Sequence, residues 1–299
     1  MTHRHILFIP GKNPKPPEDE HSEQVWRVMI EGIKRADENT ASEIIKHRES
    51  FSLISWNYSY YHKTKDINLE MPWIDALVDK KGPSQNDINE AHDWNRKLNR
   101  LMHSIADHFP WIIRWLPGPA CEAIKETNRY FTNRRNIGYE IRSLLKAKLR
   151  PFLEKNEPIL IIGHSMGSII AYDTLWELSH EEHRSGKVDL LCIGSPLGSK
   201  FVQRKLLGYK FKNKMHYPTN IRHWTNVSAA GDITALDSCF SGDYREMLKL
   251  NILDSIEDHC DKVYNYYRNK DGLNVHRSYG YLINPIVGKV IADWWQQSK

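Results

Sequence analysis

The chain has no run of about 18 apolar residues, so it contains no predicted membrane-spanning helix. Its first apolar stretch covers only Ile6 to Pro10. Gly-Lys-Asn-Pro follows that stretch, rather than the small residues of a cleavage site, so we predict no signal peptide. Internal repeats and low-complexity tracts are also absent, which argues against a repeat architecture.

Cysteine is scarce and irregularly placed. The four cysteines (Cys121, Cys192, Cys239 and Cys260) include no C-x-x-C pair. This pattern predicts free thiols in a reducing compartment, hence a cytoplasmic protein, rather than a disulfide framework or a zinc site. The fifteen histidines are scattered and lack H-x-x-x-H spacing with a carboxylate partner, so we expect no metal and no cofactor.

Charge is unevenly distributed over the 299 residues, whose net charge is +5. Residues 95–150 hold twelve Lys and Arg against four Asp and Glu, and residues 199–218 form a second basic stretch, predicted as a loop. The basic 95–150 segment is either a solvated helical face or a contact with an anionic substrate or an anionic surface such as a membrane. Interleaved stacking residues are not evident, so nucleic acid is not an expected partner.

Short apolar runs alternate with helical patterns along most of the chain. Five strands are predicted at residues 5–9, 51–56, 158–162, 188–194 and 222–227, with a sixth near 262–267. Helices are predicted at 22–35, 87–108, 137–153, after residue 165 and at 281–296, while 57–90 is predicted to be irregular. This alternation predicts an α/β fold whose mostly parallel sheet carries helices on both faces.

The run from Pro158 to Ile170 is the most informative segment. It ends a predicted strand in Gly163-His164-Ser165-Met166-Gly167 and starts a helix at once. A G-x-S-x-G sequence between strand and helix is typical of a nucleophile elbow, where a sharp turn exposes the serine hydroxyl. Gly163 and Gly167 have no Cβ, so such a turn closes without a clash.

A serine nucleophile needs a base and an orienting carboxylate, in the chain order Ser, Asp or Glu, His. Only His259 and His276 follow residue 223, and His276 is preferred because it lies in a loop after the last predicted strand. Asp232 follows the strand at 222–227 and is the preferred acid. Asp237 is the runner-up, and Asp243 and Asp254 are weaker candidates.

An oxyanion hole would complete this site. It is expected to use the backbone N–H of Met166, next to the serine, and that of Lys12 in the loop after the first strand. Pro14 has no N–H, so the second donor must precede it.

These segments together resemble the lipase and esterase branch of the α/β-hydrolase superfamily. The likeness rests on ILFIPGK, PILIIGHSMGSIIAYDTL, LLCIGSPLG, WTNVSAAGDI and NVHRSY. The resemblance implies a hydrolase core over residues 1–60 and 137–299, with Ser165 as nucleophile, His276 as base and Asp232 as acid. Pro10-Gly11 stands where many members have His-Gly, and the first two family strands are missing.

Residues 61–136 fit no part of that core and are predicted to form a helical cap over the site. Their aromatic and apolar cluster is either a lid that meets an acyl chain or the cap's own core; its members are Trp111, Ile112, Ile113, Trp115 and Leu116.

Three functions are compatible with these patterns. The first is a cofactor-free serine hydrolase that cleaves carboxylic esters of small molecules or lipids through an acyl-enzyme. The second is an acyltransferase or thioesterase that uses the same acyl-enzyme, which the sequence does not separate from a hydrolase. The third is a non-catalytic binding protein on a hydrolase fold.

Overall fold

A computed structural model describes residues 3–93, 127–235 and 238–297 of the chain. Its centre is a six-stranded sheet in which every strand is parallel, with spatial order β2-β1-β3-β4-β5-β6. These strands are β1 (His5–Ile9), β2 (Phe51–Leu53), β3 (Ile159–His164), β4 (Val188–Ile193), β5 (Ile221–Ala229) and β6 (Ser255–Val263). A small hairpin joins β7 (Arg268–Asn269) and β8 (Gly272–Leu273).

Helices fill most of the connections between strands. They are α1 (Glu18–Ala36), α2 (Glu38–Ile45), α3 (Trp56–Tyr61), α4 (Met71–Asp79), α5 (Gln85–Ala91), α6 (Ile137–Glu154), α7 (Met166–His180), α8 (Lys200–Gln203), α9 (Arg245–Lys249), α10 (Ser278–Leu282) and α11 (Pro285–Gln297). None of the helices in the described part is long and apolar enough to cross a bilayer.

Strand β1 shows how the sheet divides the core into two layers. Leu7 and Ile9 pack into one apolar cluster with residues of α6 and α7, whereas Ile6 and Phe8 pack into another with residues of α1 and α11. Successive side chains of a strand point to opposite faces, so a strand buried on both faces must be apolar throughout. The predicted α/β fold with helices on both faces of a parallel sheet is therefore confirmed.

The predicted element boundaries were wrong in four places. Strand β2 ends at Leu53, and Trp56 begins a helix instead of ending the strand. Residues 57–90 are not irregular, since they contain α4 and much of α3 and α5. The sixth strand is β6, earlier than the predicted 262–267. The last helix is divided near Asn284, ahead of Pro285, which cannot donate a backbone hydrogen bond.

Two further predictions differ or reach beyond the described chain. The basic loop at 199–218 contains α8 and a 3₁₀ turn at Asn213–His216. The helix predicted at 87–108 falls partly outside the described residues, and within them α5 ends at Ala91.

Candidate active site

The turn at Ser165 joins the carboxyl end of β3 to the first residue of α7. Its backbone has φ 52° and ψ −122°, a conformation that is costly for a residue with a Cβ. The Ser165 N–H donates to Ile193 O at 3.1 Å, and its carbonyl accepts from the Ser168 N–H at 3.0 Å. Hydrogen bonds to strand and helix thus hold the strained residue in place.

Two glycines allow this turn to pack closely. A Cβ on Gly163 would lie 2.7 Å from Ser168 Cα, and a Cβ on Gly167 would lie 2.1 Å from Ile9 O. Either atom would overlap the backbone, so the predicted role of both glycines agrees with the packing.

The hydroxyl of Ser165 lies 2.9 Å from His276 Nε2, and Nδ1 of the same ring lies 2.8 Å from Asp232 Oδ2. The Asp232 carboxylate only accepts, so the proton stands on Nδ1 and Nε2 accepts from the serine hydroxyl. Ser165 and Asp232 follow β3 and β5 directly, and His276 follows the β7–β8 hairpin in the connection after β6. This tautomer is the one in which the imidazole can take a proton from Ser165.

Asp232 is buried and held by several donors besides His276. The Tyr281 hydroxyl donates to Asp232 Oδ2 at 2.6 Å, and the Thr234 N–H donates to Oδ1 at 2.9 Å. Burial raises the Asp232 pKa, but the electrostatic attraction and hydrogen bond of His276, with those two donors, leave that pKa below its ordinary value. The carboxylate is therefore ionised where His276 needs a negative partner.

Tyr281 was not predicted from the sequence. It lies in α10, and besides donating to Asp232 it accepts the Ala229 N–H at 2.9 Å. Tyr281 thereby connects α10 both to Asp232, which lies 49 residues earlier in the sequence, and to the end of β5. No local pattern marks such a tyrosine, because its role depends on where α10 docks.

His164 supports the histidine loop. Its Nε2–H donates to the His276 backbone carbonyl at 2.8 Å. Burial, followed by unfavourable electrostatic interactions with His276 and Lys15, holds the pKa of His164 well below its usual range, so the ring is neutral. A Cβ on Gly11 would lie 2.7 Å from His164 Nδ1 and 3.0 Å from Ser165 Cβ, which places the loop after β1 directly beside the serine.

The loop after β1 is held through its carbonyls. Trp56 Nε1 donates to Pro10 O at 2.8 Å, and Asn57 Nδ2 donates to Gly11 O at 2.8 Å and to Asn13 O at 2.9 Å. In a trans peptide the N–H points opposite to the carbonyl. The Lys12 N–H is therefore directed away from Asn57.

Met166 is the first residue of α7. The N–H groups of a first helical turn have no partner within the helix and carry its positive end. The predicted pair of donors, Lys12 and Met166, thus stands on two segments that both adjoin Ser165.

A group of charged side chains flanks the histidine loop. Glu70 pairs with Arg277, which follows His276, and with Lys65 at 2.5 Å. Lys15 is buried close by, and within the described chain its ammonium has no hydrogen bond or ion pair. Burial, followed by the charge of Arg277, lowers the Lys15 pKa to about 7, although Glu70 opposes this.

The other candidate residues lie elsewhere. His259 is within β6, in register with Val227, and Asp254 precedes that strand at its amino end. Asp243 pairs with Lys200 at 2.6 Å. Asp237 and the proposed lid residues fall outside the described residues; the lid residues are Trp111, Ile112, Ile113, Trp115 and Leu116.

The prediction that all cysteines are free thiols was wrong. Cys239 and Cys260 form a disulfide that links the loop after β5 to β6, whereas Cys192 is free and buried. Asp258 lies near both bonded sulfurs, but sulfurs in a disulfide are not thiolate ligands for a metal.

Comparison of the chain with models of protein families, with curated proteins and with solved structures found no match.

Proposed function

We propose that this chain is a serine hydrolase of the α/β-hydrolase superfamily that cleaves carboxylic esters. The observation that carries the proposal is the continuous path from the Ser165 hydroxyl through His276 to the ionised Asp232, with contacts of 2.9 and 2.8 Å. Together with the strained turn that holds the buried Ser165 beside His276, this path provides an activated nucleophile.

The strand order supports the assignment to the superfamily. The residues proposed as nucleophile, acid and base follow β3, β5 and β6 of one parallel sheet, in the chain order Ser, Asp, His. That order, with a G-x-S-x-G turn between strand and helix, is typical of the superfamily.

The reaction runs in two halves. Ser165 Oγ attacks the ester carbonyl while its proton passes to His276 Nε2, and the oxyanion is stabilised by the N–H groups of Met166 and Lys12. The C–O bond to the leaving alcohol then breaks as His276 returns the proton to that oxygen. Water, deprotonated by the same imidazole, attacks the acyl-serine, which releases the carboxylic acid and restores Ser165.

Labelling with a fluorophosphonate probe tests the nucleophile. Folded wild-type protein should label, while Ser165→Ala and heat-denatured protein should not. Hydrolysis of p-nitrophenyl esters of increasing acyl length then defines the preferred substrate, with Ser165→Ala as the blank. Labelling that survives in Ser165→Ala would identify a different nucleophile. Failure of folded wild-type protein both to label and to hydrolyse any ester would favour a binding role.

A further inference from the structure

The connection between β4 and β5 carries a charge of one sign. From position 194 to 220 the chain has six Lys and Arg and no Asp or Glu. Three of the lysines stand at alternate positions of an exposed segment, Tyr209-Lys210-Phe211-Lys212-Asn213-Lys214-Met215, which we call the 209–215 segment. Within the described part of the chain, no carboxylate pairs with Lys210, Lys212 or Lys214.

Apolar side chains are exposed between those lysines. Tyr209, Phe211 and Met215 are 44, 50 and 43 % exposed, and they make up three of the eight most exposed large apolar side chains among the described residues. Single exposed apolar residues are common on protein surfaces, but three within seven residues, each beside a lysine, form a patch.

The segment is ordered by contacts with α7. The Trp176 indole N–H donates to Met215 O at 2.9 Å, and the Trp176 ring stacks on Phe211 with centroids 5.7 Å apart. Gly208, at φ 90°, lets the chain pass Trp176, because a Cβ there would lie 2.4 Å from the indole nitrogen. The backbone closes on itself through the Phe211 N–H to Gly208 O at 2.8 Å. The exposed side chains therefore stand on a fixed base.

We propose that the 209–215 segment is a docking surface for an anionic lipid bilayer. Such an interface accepts both kinds of side chain at once, since aromatic and apolar groups enter the headgroup region while lysines keep their ammonium groups at the charged surface. An acidic protein partner would match the lysines but would leave the apolar side chains without a stated role.

A nucleic acid fits the same segment less well. Bases stack on the open faces of aromatic rings, but one face of Phe211 is already covered by Trp176, and Tyr209 packs against His216 with centroids 5.9 Å apart. Met215 adds apolar area that offers nothing to a base edge. The bilayer is therefore the occupant that uses every exposed side chain of the segment.

The docking surface lies well away from Ser165. Trp176 is eleven residues after Ser165 along α7, or about 16 Å at 1.5 Å per residue. Docking through the 209–215 segment therefore does not need the catalytic edge, and variants of the segment should leave turnover of a soluble ester unchanged.

Co-sedimentation of the full chain with vesicles tests the proposal. Wild-type protein should bind vesicles of phosphatidylcholine mixed with phosphatidylglycerol, and binding should weaken with added salt and on vesicles of phosphatidylcholine alone. Changing Lys210, Lys212 and Lys214 together to Gln should weaken binding about a hundredfold, because each lysine near an anionic surface contributes about fivefold. Adding Phe211→Ser and Met215→Ser to the triple variant should weaken its binding to anionic vesicles further.

Matched controls distinguish binding through the 209–215 segment from binding that depends only on net positive charge. Lys81, Lys155 and Lys249 are exposed lysines outside both basic segments, so changing all three to Gln alters net charge equally and should leave most binding intact. Melting curves verify that each variant is folded. Absence of binding by wild-type protein, or equal loss in the control triple, would overturn the proposal. Binding of a single-stranded oligonucleotide with the same dependence on the three loop lysines, without vesicle binding, would assign the surface to nucleic acid instead.

Discussion

After His276, Tyr281 is the side chain that contributes most to keeping the proposed acid, Asp232, ionised. Its hydroxyl donates to Asp232 Oδ2 at 2.6 Å and helps to keep the pKa of that carboxyl low. Replacing it with Phe removes the donor but keeps the ring. We expect Tyr281→Phe to lower kcat/KM about tenfold, because a hydrogen bond to a charged group contributes about 1.5 kcal/mol or more.

The same variant should also shift the pH profile. Without Tyr281 the Asp232 pKa rises, so the carboxylate is protonated at higher pH and ceases to orient the His276 ring. As the pH is lowered, the variant should therefore lose activity at a higher pH than wild-type protein does. Tyr279→Phe is the matched control, since the Tyr279 hydroxyl is buried in the same helix without a hydrogen-bond partner in the described chain. Equal profiles for Tyr281→Phe and wild-type protein would contradict the positioning role.

At the scale of the element, Gly167 decides how closely α7 approaches β1. A methyl group there would lie 2.1 Å from Ile9 O, so helix or strand must move. We expect Gly167→Ala to lower the free energy of unfolding by more than about 2 kcal/mol and to abolish probe labelling. Gly242→Ala is the control, because a Cβ at Gly242 meets nothing within 4 Å. Urea melts of both variants measure the difference, and a stable, reactive Gly167→Ala protein would show that the contact can relax.

The disulfide is the second feature at this scale. It joins residues 21 apart and tethers the loop after β5, which begins near Asp232, to the edge strand β6. In the chain-entropy description, a closure of that length stabilises the fold by about 3 kcal/mol. Cys239→Ser and Cys260→Ser should each lower the melting temperature, and dithiothreitol should do the same to wild-type protein while leaving both variants unchanged. A melting temperature insensitive to reductant would show that the bond adds no stability.

The juxtaposition of the proposed catalytic residues was predictable because each of them follows the end of a strand or of a strand hairpin. Ser165, Asp232 and His276 each follow an element that periodicity reveals, and the chain order of this chemistry then selects among the candidates. Residues that contact the site from distant parts of the sequence gave no such signal. Asn57 donates to Gly11, 46 residues earlier, and Tyr281 donates to Asp232, 49 residues earlier. Their positions are set by packing between elements, which local pattern does not encode.

Element boundaries were less predictable for a related reason. Strand β6 lies at the edge of the sheet and reads Ser-Ile-Glu-Asp-His-Cys-Asp-Lys-Val, with its side chains mostly half-exposed or exposed. Such a strand needs no apolar run, and its identity comes from pairing with β5. The cysteine pairing was missed for the same reason, because it depends on how the loop after β5 packs against β6.

At the scale of the whole molecule, the buried ammonium of Lys15 should make the stability of the fold depend on pH. Its pKa falls from 10.5 to about 7 on folding, so the unfolded chain binds more protons between these values. Above pH 10.5 Lys15 is neutral in both states and burying it does not reduce the free energy of unfolding. As the pH falls toward about 7, the unfolded chain takes up a proton that the folded chain does not, so the free energy of unfolding decreases. Lys15→Met should raise the melting temperature most near or below pH 7 and least near pH 10.

Lys65→Met is the comparison for that prediction. Lys65 pairs with Glu70 and is about 41 % exposed on its side chain, so its removal should not produce the same gain at neutral pH. Melting curves across the pH range measure both variants. A Lys15→Met protein whose gain does not change with pH would show that Lys15 keeps an ordinary pKa.

The parallel sheet also determines when reactivity can arise during folding. His276 meets a serine 111 residues earlier in the chain and an aspartate 44 residues earlier, and neither contact exists until β3, β5 and β6 are paired. Contacts between residues so distant in sequence form late in folding, because the long intervening chain must first lose conformational entropy. Labelling of Ser165 during refolding should therefore report completion of the sheet, appearing after helical signals have recovered and at the rate of the last cooperative step.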